Sequence, residues 1–317
     1  MRAAIVRAAG QTPVYGDFAE PTPGPGEHRV MVTAAALSPL AKARAAGAHY
    51  SVSGAFPAVV GVDGVGRLDD GRRVYFLLPR APWGAMAEFA VAPATQIAPL
   101  PDGLDDVTAA AIANPGMSSW AAFKERAKLE AGETVLINGA TGSAGRLAVQ
   151  IARHLGAKKV IATGRNVEAL QALDADATLA LVDDEDALED SFKLYLADGI
   201  DVVLDYLWGK SAERLLAAAA KVLPDGAPLR YVEVGAASRP TIALPGAVLR
   251  SKAIALMGSG LGSVPLDRLA TDIGDLLQAA ATGGFSIPAR AVPLSAVERA
   301  WVEGDGAGRA VFTIDAR

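Results

Sequence analysis

Residues 134–155 constrain this chain more than any other stretch. Thr134-Val135-Leu136-Ile137 is a short apolar run of the kind a buried strand needs. From Ser143 onward the apolar residues Ala144, Leu147, Ala148, Ile151 and Leu155 recur at helical spacing. Between the two lies Asn138-Gly139-Ala140-Thr141-Gly142-Ser143-Ala144-Gly145. Its core reads Ala140-x-Gly142-x-x-Gly145, so alanine stands at the first glycine of the usual G-x-G-x-x-G fingerprint. A strand, a tight turn and a helix in that order set a helix N-terminus at the mouth of a parallel sheet. Free amides and the positive end of the helix dipole there favour a phosphate group. The turn alone is weak evidence. Its flanks are those a dinucleotide site requires, and a βα turn without a ligand is the other reading.

Length and composition bound the rest. The chain has 317 residues, enough for one large or two ordinary domains, and 51% are apolar, enough for a sizeable core. The formal net charge is −5 and no long basic run occurs, so no nucleic-acid partner is expected. There is no cysteine. That removes disulfides, thiolate zinc sites and cysteine nucleophiles together, and it fits a reducing cytoplasm. No window offers the roughly 18 uninterrupted apolar residues of a membrane helix. The opening Met1-Arg2-Ala3-Ala4-Ile5-Val6-Arg7 is too short and interrupted for a signal peptide.

Along the chain the pattern changes twice. Residues 3–7, 29–35, 59–68, 73–77 and 86–91 read as short strands separated by Pro and Gly, as in Pro21-Thr22-Pro23-Gly24-Pro25-Gly26. They suggest a small barrel-like β domain with a short helix at 41–46. Helices are expected at 105–113 and 118–127. Strands at 134–137, 159–163, 180–182, 202–205, 230–234 and 253–257 then alternate with helices at 143–155, 167–173, 187–196 and 211–222. Such βα alternation predicts an α/β fold with a doubly wound parallel sheet of the Rossmann type. After Gly258-Ser259-Gly260, Leu266, Leu269, Ile273, Leu276 and Leu277 mark an amphipathic helix, and 287–292 and 310–314 read as strands again. The sheet of residues 115–261 is therefore expected to be inserted in a β domain made of 1–114 and 262–317.

The end of the second strand of such a sheet bears on the cofactor. An NAD-specific unit ends it with an acidic residue for the ribose hydroxyls. Here Lys159-Val160-Ile161-Ala162-Thr163 runs into Gly164-Arg165-Asn166 with no acid. Gly164 leaves room, and Arg165 offers a planar fork suited to a 2′-phosphate, which points to NADPH over NADH. An exposed arginine before a helix is the plainer reading.

With these features in hand the chain resembles the medium-chain dehydrogenase/reductase superfamily, and within it the zinc-free, NADPH-dependent quinone oxidoreductases. Pro21-x-Pro23-x-Pro25-Gly26-Glu27, Gly61-Val62-Asp63-Gly64-Val65-Gly66, Trp83-Gly84-Ala85-Met86-Ala87-Glu88 and Pro101-Asp102-Gly103-Leu104 are similar to family segments in the same order. The resemblance covers nearly the whole chain. It implies a GroES-like β-barrel catalytic domain, hydride transfer to quinones or other activated enones, and a homodimer joined through the last strand, Ala253-Ile254-Ala255-Leu256-Met257. A loop covering that edge is the alternative. Zinc relatives carry Cys near Ser38 and His near Val62. Both are missing, so no zinc and no other metal is expected.

Site residues follow from the resemblance and from strand ends. Ser38 and Tyr50 are the catalytic candidates, as a hydroxyl facing the nicotinamide and as a proton donor; a Ser-Pro turn and a barrel-edge tyrosine are the alternatives. Asp63 is expected to be structural, and His49 a solvated loop residue. The expected cofactor contacts in the turn are Asn138, Ala140, Thr141, Gly142, Ser143, Ala144 and Gly145. At the second strand they are Gly164, Arg165 and Asn166. Further along they are Asp205, Tyr206, Gly235, Gly258, Ser259 and Gly260, with Ser118 where the chain enters the inserted domain. Tyr206 and Trp208 serve equally well as packing aromatics. An enoyl-thioester or alkenal reductase, or a redox-silent NADPH-binding protein, are the competing functions.

Overall fold

The computed structural model describes residues 1–48, 56–303 and 308–315. The chain forms two compact units, Met1–Asn114 with Pro265–Arg317, and Pro115–Val264. The second boundary falls after Val264 because the preceding loop stays tied to the inserted unit. Ser259 N donates to Glu233 O, and Leu261 bridges Val264.

In chain order the first unit opens with β1 (Arg2–Val6), β2 (Val14–Asp17), β3 (Glu27–Ala36), α1 (Pro39–Ala45), β4 (Ala58–Val59), β5 (Asp63–Leu68), β6 (Arg73–Leu77), β7 (Phe89–Pro93) and β8 (Ile97–Pro99). The single strand expected over 59–68 is broken at Gly61. That residue has φ +103°, and a Cβ there would lie 2.8 Å from Met86 N. Helix α2 (Asp106–Ala121) follows, with Pro115 inside it. It replaces the two helices expected at 105–113 and 118–127. The Pro115 carbonyl accepts from Ser118 Oγ at 2.7 Å and from Ser119 Oγ at 3.3 Å, so the turn after the proline is held by side chains. A wide π-type turn, Ala122–Ala127, ends the run at Lys128.

The second unit is β9 (Thr134–Asn138), α3 (Ser143–His154), β10 (Lys159–Gly164), α4 (Val167–Gln171), β11 (Ala177–Ala180), α5 (Glu185–Ala197), β12 (Val202–Asp205), α6 (Gly209–Val222), β13 (Leu229–Glu233), α7 (Gly246–Ser251) and β14 (Ile254–Gly258). All six strands are parallel, in the order β11-β10-β9-β12-β13-β14. Strand order reverses between β9 and β12, and open sheets of this kind bind ligands outside the strand ends at that point. The central strands are continuous apolar runs because helices cover both faces; β12 is buried throughout. Strand β11 lies earlier than the expected 180–182, where Ala177 to Ala180 pair with Ile161 to Gly164. Helix α3 turns Leu147, Ala148 and Ile151 into the core.

The chain then returns to the first unit with α8 (Leu266–Gly283), β15 (Ala289–Pro293), α9 (Val297–Glu303) and β16 (Arg309–Thr313). Strand β16 runs antiparallel to β3 and parallel to β15, so the C-terminal segment completes the sheet β15-β16-β3-β5-β6-β8. Phe76, Met86 and Phe312 are fully buried in this unit's core. No helix among the described residues is long and apolar enough to cross a membrane.

Candidate cofactor-binding site

The turn after β9 is shaped by what a side chain would strike. Gly139 adopts φ +92°, and a Cβ there would sit 2.8 Å from Leu207 Cγ. Gly145, in the first turn of α3, would place a Cβ 2.4 Å from Gly139 O and 2.6 Å from Ala140 Cα. The helix start is thus pressed onto the turn. Ala140 lies beneath, wholly buried, and the left-handed residue of the turn is Gly139, one position earlier. The alanine at the first fingerprint position therefore costs the turn nothing. Gly139 was absent from the expected contacts, although the glycine directly after the strand is visible in the sequence. Gly142 is different: it is exposed, and a Cβ there would meet nothing nearer than 3.9 Å. It opens the mouth in front of the Ser143 and Ala144 amides, which begin α3 with no side-chain cap.

The end of β10 completes one wall. A Cβ on Gly164 would lie 2.8 Å from Thr141 Cγ2, so this strand end abuts the turn. Arg165 beyond it is exposed. Asn166 caps α4, its Oδ1 accepting from Ala169 N at 2.9 Å. Arg146, outside the expected set, donates Nε to Thr141 O at 3.0 Å and braces the turn from α3. A cation in the first turn of a glycine-led helix was the available signal.

Beneath the mouth lies a buried polar network. Asn138 donates Nδ2 to Asp205 Oδ1 at 2.8 Å and to Ser211 Oγ at 2.9 Å, and its Oδ1 accepts from Thr163 Oγ1 at 2.7 Å. Asp205 also accepts from Tyr231 Oη at 2.6 Å and from the Leu207 and Trp208 amides. Burial pushes the Asp205 carboxyl up, and these donors pull it back. Asn138 and Asp205 are wholly buried, and their side chains hold the turn and the β12 end from below. Trp208 follows at φ +57°, ψ −155°, a backbone region that glycine dominates, with its ring edge-on to Tyr231.

Tyr206 shares a 2.7 Å hydrogen bond with Ser119, whose Oγ also donates to Ala144 O at 3.2 Å. Burial pushes the Tyr206 phenol up, and the Ser119 and Ser118 hydroxyls oppose that. These groups therefore gather beside the start of α3. Gly235 N donates to Asp205 O at 3.2 Å. Gly258 O accepts from Arg126 Nε at 2.8 Å, and Gly260 N donates to Ser263 Oγ at 2.8 Å.

In the first unit, Ser38 is 2% exposed and caps α1, its Oγ accepting from Ala41 N at 3.0 Å. Tyr50 and His49 lie outside the described residues. Asp63 is buried and accepts from Tyr75 Oη at 3.1 Å. Burial pushes its carboxyl up to about 6, against the opposing pull of the Arg309 charge and the Tyr75 hydroxyl. Ser38 brings a capping hydroxyl and Val62 a buried alkyl group, neither of them a thiolate or imidazole donor. Among the described residues no group of three or more His, Cys, Asp or Glu is disposed to hold a metal. A pyridine dinucleotide phosphate fits the second unit well: an open glycine mouth, bare helix amides and an exposed arginine at the second-strand corner.

Residues 144–280 match the family model described as zinc-binding dehydrogenase. The whole chain is similar to the probable NADPH-dependent quinone reductase tdiC of Emericella nidulans, at 28% identity over 99% of this chain and 100% of the relative. Among solved structures it is similar to the quinone oxidoreductase of Thermus thermophilus, known also in complex with NADPH. That pair shares 27% identity and a TM-score of 0.80 over 99% of this chain and 100% of the other. It is also similar, at 32% identity over 71% of this chain, to the mycocerosic acid synthase-like polyketide synthase of Mycobacterium tuberculosis, of which it spans 11%.

Proposed function

We propose that this chain is a member of the medium-chain dehydrogenase/reductase superfamily and an NADPH-dependent oxidoreductase that reduces quinones or other activated enone and carbonyl acceptors. The carrying observation is the corner beside the turn. Gly164 abuts Thr141, Arg165 stands exposed beyond it, and no carboxylate ends the strand. An arginine fork there would pair with a 2′-phosphate, whereas NADH brings no charge to it.

When bound, the reduced nicotinamide supplies hydride to an electron-poor acceptor. The chain's own residues then have limited tasks. The Ser143 and Ala144 amides would take the pyrophosphate, with Gly142 keeping the approach open. Tyr206, held by Ser119, would orient the nicotinamide half. Ser38 and Tyr50 would serve the acceptor oxygen, Tyr50 as its proton donor. A quinone needs no dedicated acid, because the hydroquinone anion can take its proton from water. No zinc enters this reading. The half-exposed outer edge of β14 supports a homodimer, checked by light scattering on the eluting protein. The cysteine-free composition suits a reducing cytoplasm.

Steady-state NADPH oxidation across quinones, enals and enoyl thioesters tests the reading. The similarity to a polyketide synthase keeps enoyl-thioester reduction as the second candidate. Turnover of thioesters without quinones would favour it. Tight NADPH binding without turnover of any acceptor would point to a redox-silent binder.

A further inference from the structure

The cations of α3 and β10 divide by position. Away from the glycine turn they are paired: Arg153 Nη2 meets Asp176 Oδ2 at 2.8 Å, and Lys159 Nζ meets Asp198 Oδ2 at 3.6 Å. Beside the turn stand Arg146 and Arg165, and among the described residues neither forms an ion pair. Arg146 is the less expected of the two. A cation at the start of a helix faces the positive end of the dipole, where an acid is the favourable residue. The first turn of α3 holds no acid. Helical side chains lean towards the N-terminus, so Arg146 lies back over the turn it follows. Its Nε bond to Thr141 O at 3.0 Å fixes it there. That bond takes one of five guanidinium N–H donors and leaves the terminal nitrogens to a ligand.

Thr141 connects the two arginines. Its Cγ2 lies 2.8 Å, and its Oγ1 3.1 Å, from where a Cβ on Gly164 would stand. Arg146 therefore holds the Thr141 carbonyl, while the end of β10, with Arg165 next in the chain, abuts the Thr141 side chain. In folds of this kind the end of the second strand is where the adenosine ribose of a dinucleotide lies.

Resting on the use of NADPH proposed above, we infer that Arg146 is a second specificity residue, which clamps the 2′-phosphate from the helix side while Arg165 takes it from the strand end. Charge-assisted bonds from two guanidinium groups then meet one phosphate. The Nε bond already holds the Arg146 side chain in place, so little of its freedom is left to lose when the phosphate arrives. One side chain braces the turn through Nε and reads the cofactor through Nη1 and Nη2.

The test is calorimetric binding of two ligand pairs, NADPH with NADH and 2′,5′-ADP with 5′-AMP. Wild type is compared with Arg146→Gln, Arg146→Met and Arg146→Lys. Glutamine keeps a donor for Thr141 O and removes the charge. The preference for the 2′-phosphorylated member of each pair should fall about tenfold or more in Arg146→Gln and Arg146→Met, and recover in part in Arg146→Lys. An unchanged preference in whichever neutral variant folds would overturn the inference. So would a parallel loss for both members of each pair, which would mean that Arg146 serves the turn or the pyrophosphate alone. Equal binding of both members by wild type would sink the NADPH reading together with the inference. A selective loss in a protein that oxidises NADPH with no quinone, enal or enoyl thioester would uphold Arg146 and sink the proposed reaction.

Discussion

Asn138 Nδ2 reaches Asp205 Oδ1 at 2.8 Å, joining the ends of the two strands between which the sheet order reverses. Four donors converge on that one carboxylate: the Asn138 amide, the Tyr231 hydroxyl and the Leu207 and Trp208 backbone amides. Asp205→Asn keeps the shape but turns an NH₂ towards one of them. A loss of about 2 kcal/mol or more in unfolding free energy is expected, since each hydrogen bond to a buried charge is worth roughly 1.5–3 kcal/mol. KM for NADPH should rise as well, because the turn rests on this network. Urea unfolding and initial rates check both; an unchanged midpoint would show that the network carries no load.

Two glycines of the turn separate stability from binding. Gly145→Ala forces a methyl onto Gly139 O and Ala140 Cα, so the variant should lose about 1–3 kcal/mol, as overpacked sites do. Gly142→Ala meets no heavy atom within 3.9 Å and should melt with wild type. Its methyl would crowd the proposed phosphate mouth and weaken NADPH binding. Equal effects of both substitutions on melting would contradict this division.

Arg165 carries the cofactor preference in the proposed reading. Arg165→Ala should lower NADPH affinity about tenfold or more, by the loss of a charge-assisted pair, and leave NADH affinity where it was. Fluorescence titration of both nucleotides reads this directly. A parallel loss for NADH would mean that Arg165 touches something other than the 2′-phosphate.

Asp63 gives the stability a pH signature. Its folded pKa, about 6, is raised from 3.8. A raised carboxyl contributes stability fully below about pH 4 and loses it as pH climbs through 6. The difference of about 2 units corresponds to about 3 kcal/mol. Relative to Asp63→Asn, the wild type should therefore lose about that much unfolding free energy between acid and neutral pH. A gap between the two proteins that stays constant across that range would refute the assignment.

What could be read from the sequence follows the physics. The strand, turn and helix at 134–155 were legible because a central parallel strand is a plain apolar run. The alternation that follows was legible for the same reason. Strands β2 and β8 were not, being three or four residues with no usable period. Continuity of α2 was hidden by Pro115, which normally argues for a break; the helix nevertheless runs through it, and Ser118 and Ser119 donate to its carbonyl. The network on Asp205 joins Asn138 and Asp205, 67 positions apart, so no local pattern announces it. Asn138 and Asp205 stood out as strand-end residues, but their inward commitment needed the register of β9 with β12.

The proposed reaction rests most directly on one rate: loss of nicotinamide absorbance when the protein is mixed with NADPH and a simple naphthoquinone. A quinone-dependent, saturable rate that is faster with NADPH than with NADH is the expected result. Tight NADPH binding with no oxidation by any quinone, enal or enoyl thioester would contradict it.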